Sequence, residues 1–116
     1  MKSYDILSLI GENCITMSDG QAIYERVFPE LARGQAVVLD FAGVKIFASP
    51  FFNAAIGQLL KDFSSDTVNE LLVISHLIPY AENILTRVIV NARRYYSDLG
   101  YRNAVDEVIA GLSKEQ

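Results

Sequence analysis

The sequence has very few of the residues that build metal and disulfide sites. Its 116 residues include one cysteine, Cys14, and one histidine, His76. A single cysteine cannot form an intrachain disulfide, and metal sites built from clusters of cysteine and histidine are excluded. We therefore expect no metal ion.

Signatures of cofactor binding and of catalysis are also missing. The seven glycines stand apart from one another, and none matches the G-x-G-x-x-G or Walker spacing that cradles phosphates. No spacing pairs a nucleophile with a neighbouring base. We interpret Cys14 as a small buried apolar residue and His76 as a loop residue. The protein is predicted to have no cofactor and no catalytic residue, and not to be an enzyme.

The chain has no long hydrophobic run. Its longest charge-free stretch, residues 46–60, is 15 residues long and shorter than the ~20 apolar residues that span a membrane. Residues 1–5 carry a single positive charge and then an acidic residue, Asp5, and no small-residue cleavage site follows an apolar core, so no signal peptide is indicated. We expect a cytoplasmic protein without membrane contact.

Excess positive charge is absent too. Ten basic residues stand against 14 acidic ones, a net charge of −4, which disfavours a protein that neutralises many phosphates. Residues 93–96, with Arg87 nearby, combine arginine and tyrosine side chains in a way that is typical of sites that bind single-stranded nucleic acid. Arginines near a helix C-terminus also complement its dipole. No nucleic-acid partner is expected.

What the chain does have is apolar surface, with 51% hydrophobic and 21% charged residues. This composition and length predict a single domain over residues 1–116. Residues 4–10 read as a strand covered on both sides, and residues 14–17 as its antiparallel partner in an opening hairpin. Ser18 and Gln21 have the spacing of a capping box, so a helix should start there and break near Pro29.

The middle of the chain predicts a central strand and a second helix. Gly34 closes the preceding segment, and residues 36–41 are a β-branched run without alternation, typical of a strand buried on both faces. Ser49 is placed to be an N-cap, with Pro50 at the first helical position. Apolar residues then recur at helical spacing: Phe52, Ala55, Ile56, Leu59, Leu60 and Phe63.

The remaining segments continue the alternation of strands and helices along the chain. Residues 64–67 read as a loop, residues 70–75 as a buried strand, and Pro79 as the start of a helix that ends at Gly100. Residues 104–112 favour a final amphipathic helix. We predict an α/β fold with a mixed sheet of about four strands, antiparallel at the start and then parallel, and three to four helices. Whether a fifth strand precedes the last helix is left open.

The most specific segment is residues 37–52. A buried strand ends in Asp40, a turn containing Gly43 follows, and after a short apolar piece Ser49 stands at a helix start. Free amide donors and partial positive charge at a helix N-terminus favour a phosphate there, although Pro50 removes one donor.

At these residues the sequence resembles the STAS domain, the fold of bacterial anti-sigma-factor antagonists, whose stretch reads roughly L-D-L-S-x-V-x-F-x-D-S-S-G-L. Asp40 matches the Asp that ends the strand, Gly43 and Val44 the turn, and Ser49 the serine that partner kinases phosphorylate. It is still more similar to small STAS-like proteins of unknown function, with a strand ending Leu-Asp-Phe, then Gly-Val, then a Ser-Phe helix start. Ala48 stands where the family has an acid.

The resemblance implies a switch module rather than an enzyme. It would bind a protein partner, a histidine-kinase-like ATPase or an anti-sigma-type kinase, with Ser49 as the candidate phosphorylation site. Two alternatives remain open: a constitutive interaction or assembly subunit in which Ser49 is a plain N-cap, and a small enzyme that uses Asp40 and His76. The oligomeric state is left open. The candidate partner-binding residues are Asp40, Phe47, Ser49, Pro50 and Phe51.

Helical geometry adds an expectation about the two phenylalanines. At ~100° per residue, Phe51 lies about 90° from the core stripe and is expected to be at least half exposed. Phe47 either joins Phe51 in an exposed apolar patch beside Ser49 or covers the end of the sheet. Exposed aromatics of this kind commonly anchor interfaces.

Overall fold

The computed structural model describes residues 1–97, an α/β arrangement in which every strand pairing is parallel. The predicted helix end at Gly100 and the predicted helix over residues 104–112 lie outside these residues. The elements, in chain order, are β1 (Lys2–Asp5), α1 (Ile6–Leu9), β2 (Asn13–Cys14), α2 (Met17–Ala32), β3 (Val37–Asp40), β4 (Ile46–Phe47), α3 (Ser49–Ala55), a 3₁₀ helix (Gly57–Lys61), α4 (Ser65–Leu71), β5 (Leu72–Ser75) and α5 (Pro79–Ser97).

Three strands form the main sheet in the order β1-β3-β5, so β3 is central as predicted. Tyr4, Leu39 and Ile74 lie side by side across it. β2 and β4 form a separate two-stranded sheet. The expectation that β3 is buried on both faces is correct for one face only: Val37 and Leu39 are fully buried, whereas Val38 and Asp40, on the other face, are half-buried. Val73 of β5 lies beside Val38 on that second face and is 40% exposed.

The predicted opening hairpin is wrong. The strand stops at Asp5 because the Asp5 carboxylate caps a short helix, accepting hydrogen bonds from the backbone N–H of Ser8 at 3.4 Å and from its hydroxyl at 2.9 Å. Residues 14–17 do not return beside β1. Instead β2 pairs in parallel with β4, more than thirty residues along the chain.

Helix α2 begins two residues earlier than predicted. Thr16, not Ser18, is its N-cap, and the Thr16 hydroxyl accepts from the backbone N–H of Asp19 at 3.1 Å. The predicted break at Pro29 does not occur, because Pro29 lies in the last turn, where few helical hydrogen bonds remain to be lost. Gly34, with φ +76°, then ends the segment as expected.

The second half of the chain differs from prediction at two places. The expected continuous helix to Phe63 divides into α3, which ends at Ala55, and the 3₁₀ helix. The expected loop at 64–67 is the start of α4, because the Ser64 hydroxyl accepts from the N–H of Thr67 at 3.1 Å. The helix start at Pro79 is confirmed.

Helix α3 lies between α2 and α5 and contacts both. Small residues permit the close approach. A Cβ at Gly20 of α2 would collide with the carbonyl oxygen of Phe51 and lie 2.8 Å from the Cβ of Ala54. A Cβ at Gly57 would lie 3.3 Å from Val88 of α5. The core beneath α3 is aromatic and aliphatic, and its largest fully buried side chains include Phe41, Phe51, Phe52, Ile23, Leu39, Ile56 and Leu59.

The contact between α2 and α3 gives a stability prediction. Gly20→Ala should lower the free energy of unfolding by about 2 kcal/mol. The new Cβ would collide with a backbone oxygen, so the overpacking cost lies at the upper end of about 1–3 kcal/mol, and the helix-propensity gain of about 1 kcal/mol offsets only part of it. Urea denaturation measures this. Ser18→Ala, at an exposed position of the same helix, is the control and should change stability by less than about 0.5 kcal/mol. A Gly20→Ala protein as stable as the wild type would contradict the close packing.

Candidate interaction site

Ser49 is the first residue of α3 and not its N-cap. Ala48 occupies the cap position, with φ −143° and ψ 154°, and Pro50 follows Ser49. The prediction that Ser49 is the N-cap is therefore wrong by one residue. The Ser49 side chain is exposed, and its hydroxyl has no hydrogen-bond partner within residues 1–97. The hydroxyl is free for recognition or modification.

The segment before Ser49 is held by β2. The backbone N–H of Ala48 donates to the carbonyl of Cys14 at 3.0 Å, and that of Lys45 donates to the carbonyl of Glu12 at 2.9 Å. The Cys14 side chain is fully buried, as expected. Burial, with a smaller effect of Asp19, raises the pKa of the Cys14 thiol to about 12, so this thiol is unreactive at neutral pH.

The two phenylalanines proposed as an exposed patch are both buried. Phe51 is 0% exposed and meets the ring of Phe41 edge-on at 6.5 Å. Phe47 is 7% exposed and stacks on Phe52 at 5.7 Å with an interplanar angle of 3°. The expected exposure of Phe51 is wrong because α3 has helices on two sides and so buries more than one stripe. Phe47 covers the end of the sheet, the alternative left open above.

Aliphatic side chains are exposed in their place. Phe47 points inward beside Cys14, so its strand neighbour Ile46 points outward and is 50% exposed. Ile15 and Met17, which follow β2, are 40% and 66% exposed. Strand alternation at residues 46–47 is the signal that could have found this patch in the sequence. The Ser49 surface is defined here as Ile15, Met17, Ile46, Ser49 and Pro50.

The structure also brings Asp40 and His76 together. Asp40 ends β3, and His76 follows β5 with φ +57°, a conformation that strains a non-glycine residue. Nδ1 of His76 lies 2.9 Å from Oδ1 of Asp40, and the same oxygen accepts from the backbone N–H of Ala42 at 3.0 Å. The Ala42 hydrogen bond, and after it the His76 contact, lower the pKa of Asp40. Asp40 therefore fixes two loops at this edge of the sheet.

A groove adjoins the Ser49 surface. It has a volume of about 630 Å³ and runs between α2, α3 and α5, with Met17 at its lining. Nε2 of Gln58 donates to Oε1 of Gln21 at 2.7 Å within it. The Tyr95 and Tyr96 rings, named above in a nucleic-acid hypothesis, meet edge-on at 4.9 Å and line this groove. Its described lining contains no charged side chain, which disfavours phosphate binding there.

Neither a metal-binding cluster of side chains nor a membrane-spanning helix occurs within residues 1–97. No group of three or more histidine, cysteine, aspartate or glutamate side chains in this range is arranged to hold a metal ion. No helix within it has the length and apolarity required to cross a bilayer.

The family model for a STAS-like domain of unknown function matches residues 19–81, more than half of the chain. The chain belongs to this STAS-like family. The comparisons of this chain with curated proteins and with solved structures found no match. The matched range runs from the first turn of α2 to the first turn of α5, so the STAS-like domain includes Asp40, the buried phenylalanines and Ser49.

The Asp40 site predicts a pH dependence of stability. Because folding lowers the Asp40 pKa from its ordinary 3.8, the stabilisation is complete above that value and is lost as the pH falls through the lowered one. Asp40→Asn keeps an oxygen for Ala42 but does not titrate. Its free energy of unfolding should therefore fall less steeply than that of the wild type below about pH 4.

Chemical denaturation between pH 2 and pH 6 measures this difference. Glu70→Gln, at an exposed position of α4, is the matched control and should follow the wild-type curve. Coincident curves for Asp40→Asn and the wild type would show that the Asp40 contacts do not contribute to stability.

Proposed function

We propose that this STAS-like domain is a non-enzymatic interaction module that binds a kinase- or ATPase-type regulator through the Ser49 surface, with phosphorylation of Ser49 as the control. The observation that supports it most is the free, exposed hydroxyl of Ser49 at the first residue of α3. Ser49 stands at the position where the resemblance described above places the phosphorylated serine.

The surroundings of Ser49 suit a contact that a phosphate would disrupt. Ile46, three residues before Ser49, is half exposed. An apolar contact between such a side chain and a partner protein is weakened when a charged group is introduced beside it. A phosphate adds about −1.5 to −2 charges at neutral pH. Lys45 is the cation nearest in sequence, and its ammonium already lies 3.9 Å from a carboxylate oxygen of Glu12. Lys45 would therefore compensate the phosphate charge only weakly, and the N-terminus of α3 is the other positive element beside it.

A constitutive interaction or assembly subunit is the alternative within the same class. It would use the same aliphatic side chains without any modification of Ser49. The switch and the constitutive subunit differ in whether Ser49 is phosphorylated in the cell. Mass spectrometry of the protein isolated from its native source, which shows whether Ser49 carries a phosphate, distinguishes them.

The contact between Asp40 and His76, at 2.9 Å, favours a second candidate, a small enzyme. Against it, no serine or cysteine side chain within residues 1–97 is hydrogen-bonded to His76, so the pair has no adjacent nucleophile to activate. We propose that its role is to shape the loops. His76→Ala and Cys14→Ala should then leave partner binding intact apart from stability, and a turnover lost in either folded variant would overturn the non-enzymatic proposal.

A photo-crosslinking experiment in the native source tests the interaction surface. A benzophenone amino acid at position 46 should capture a specific protein, identified by mass spectrometry as a kinase- or ATPase-type regulator. The same probe at position 73 is the matched control, since Val73 is a β-branched strand residue of similar exposure (40%) on the face of the main sheet opposite Leu39. Capture from position 73 and not from position 46 would place the interface elsewhere.

Variants of Ser49 then test the control by charge. With the captured partner purified, Ser49→Asp should weaken binding at least about tenfold, because it places negative charge against an apolar contact. Ser49→Ala should bind like the wild type, since the hydroxyl caps nothing. Calorimetry measures both. Equal affinities for wild type and Ser49→Asp would show that Ser49 does not control the interaction.

A further inference from the structure

Tyr80 links α5 to the segment that carries the Ser49 surface. Its hydroxyl accepts from the backbone N–H of Phe47 at 3.1 Å and donates to the carbonyl of Lys45 at 3.0 Å. One hydroxyl on the second residue of α5 therefore makes two hydrogen bonds to residues more than thirty positions away in the chain.

These two bonds complete the pairing of β4. The backbone N–H groups of Ile46 and Ala48 point toward β2, where they donate to the carbonyls of Glu12 and Cys14. The N–H of Phe47 and the carbonyl of Lys45 point to the opposite edge, since backbone groups alternate along a strand. No strand lies at that edge within residues 1–97. The hydroxyl of Tyr80 supplies there the one acceptor and one donor that a neighbouring strand would supply.

The Tyr80 ring continues the connection into α3. It meets the Phe47 ring edge-on at 5.9 Å, and Phe47 stacks on Phe52 of α3. The position of β4 is thus fixed from both edges and from beneath, and the contact at the edge opposite β2 is made by Tyr80, which is 45% exposed.

We propose that the Tyr80 hydroxyl is a positioning group for the Ser49 surface: it holds β4 against α5, and losing it loosens β4 and weakens partner binding. This inference rests on the proposed function of that surface. The hydroxyl touches no partner in the proposal, and it acts through the backbone of Lys45 and Phe47.

Tyr80→Phe tests the inference because it removes only the hydroxyl and keeps the ring contact with Phe47. Amide hydrogen exchange followed by NMR should show the Phe47 N–H exchanging at least about tenfold faster, while the amides of β3 keep their wild-type rates. Tyr24→Phe is the matched control. The Tyr24 hydroxyl has no hydrogen bond within residues 1–97, and its loss should leave the Phe47 exchange rate unchanged.

The second readout is capture of the partner by the photo-crosslinker at position 46. Tyr80→Phe should reduce the yield at least about threefold, and Tyr24→Phe should not. An unchanged Phe47 exchange rate would overturn the inference, and so would faster exchange with a full crosslinking yield. If the wild type captures no partner from position 46, the proposed function fails instead, and the exchange rates alone then decide whether Tyr80 holds β4.

Discussion

The stack of Phe47 on Phe52 is the contact on which the rest of the site depends. It joins the two-residue strand β4 to helix α3 through two rings that are nearly parallel, and Phe41 from the end of β3 packs against both. A strand of two residues has too few backbone hydrogen bonds to be stable by itself. Burial of the phenylalanine rings supplies the stabilisation that so few backbone hydrogen bonds do not provide.

The character of the Ser49 surface follows from this cluster. Because Phe47 points into the core, Ile46 must point to solvent, and because α3 is packed on both sides by α2 and α5, its exposed residues are few. Ser49 is one of them. Ala48 occupies the N-cap position and Ser49 the first helical position, so the Ser49 hydroxyl makes no capping hydrogen bond. A free hydroxyl at a rigidly held position beside aliphatic side chains is the combination that the proposed switch requires.

The elements that the sequence predicts well are those with strong local signals. A β-branched run marks β3 as the central strand, and Pro79 marks the start of α5. The opening hairpin was wrong because Asp5 and Ser8 have the spacing of a helix cap, which competes with strand alternation over residues 4–10. Local pattern alone does not decide between the two.

The site itself depends on contacts between residues far apart in the chain, which the hydrophobic periodicity of the sequence does not reveal. The burial of Phe51 follows from α3 having helices on two sides, which no helical wheel shows. The contact between Asp40 and His76 spans 36 residues, yet a signal for it existed. Asp40 ends one predicted strand and His76 follows another, and the carboxyl ends of parallel strands share one edge of a sheet.

Amide exchange of the whole chain, with and without a saturating amount of the captured partner, tests the central claim most directly. Binding at the Ser49 surface should slow exchange in residues 45–53 and 15–17 and leave it unchanged in β5 and at Val38, which lies beside Val73 on the sheet face opposite Leu39. Slower exchange confined to β5 and Val38, with residues 45–53 unaffected, would contradict binding at the Ser49 surface and place the interface on the sheet face of Val38 and Val73.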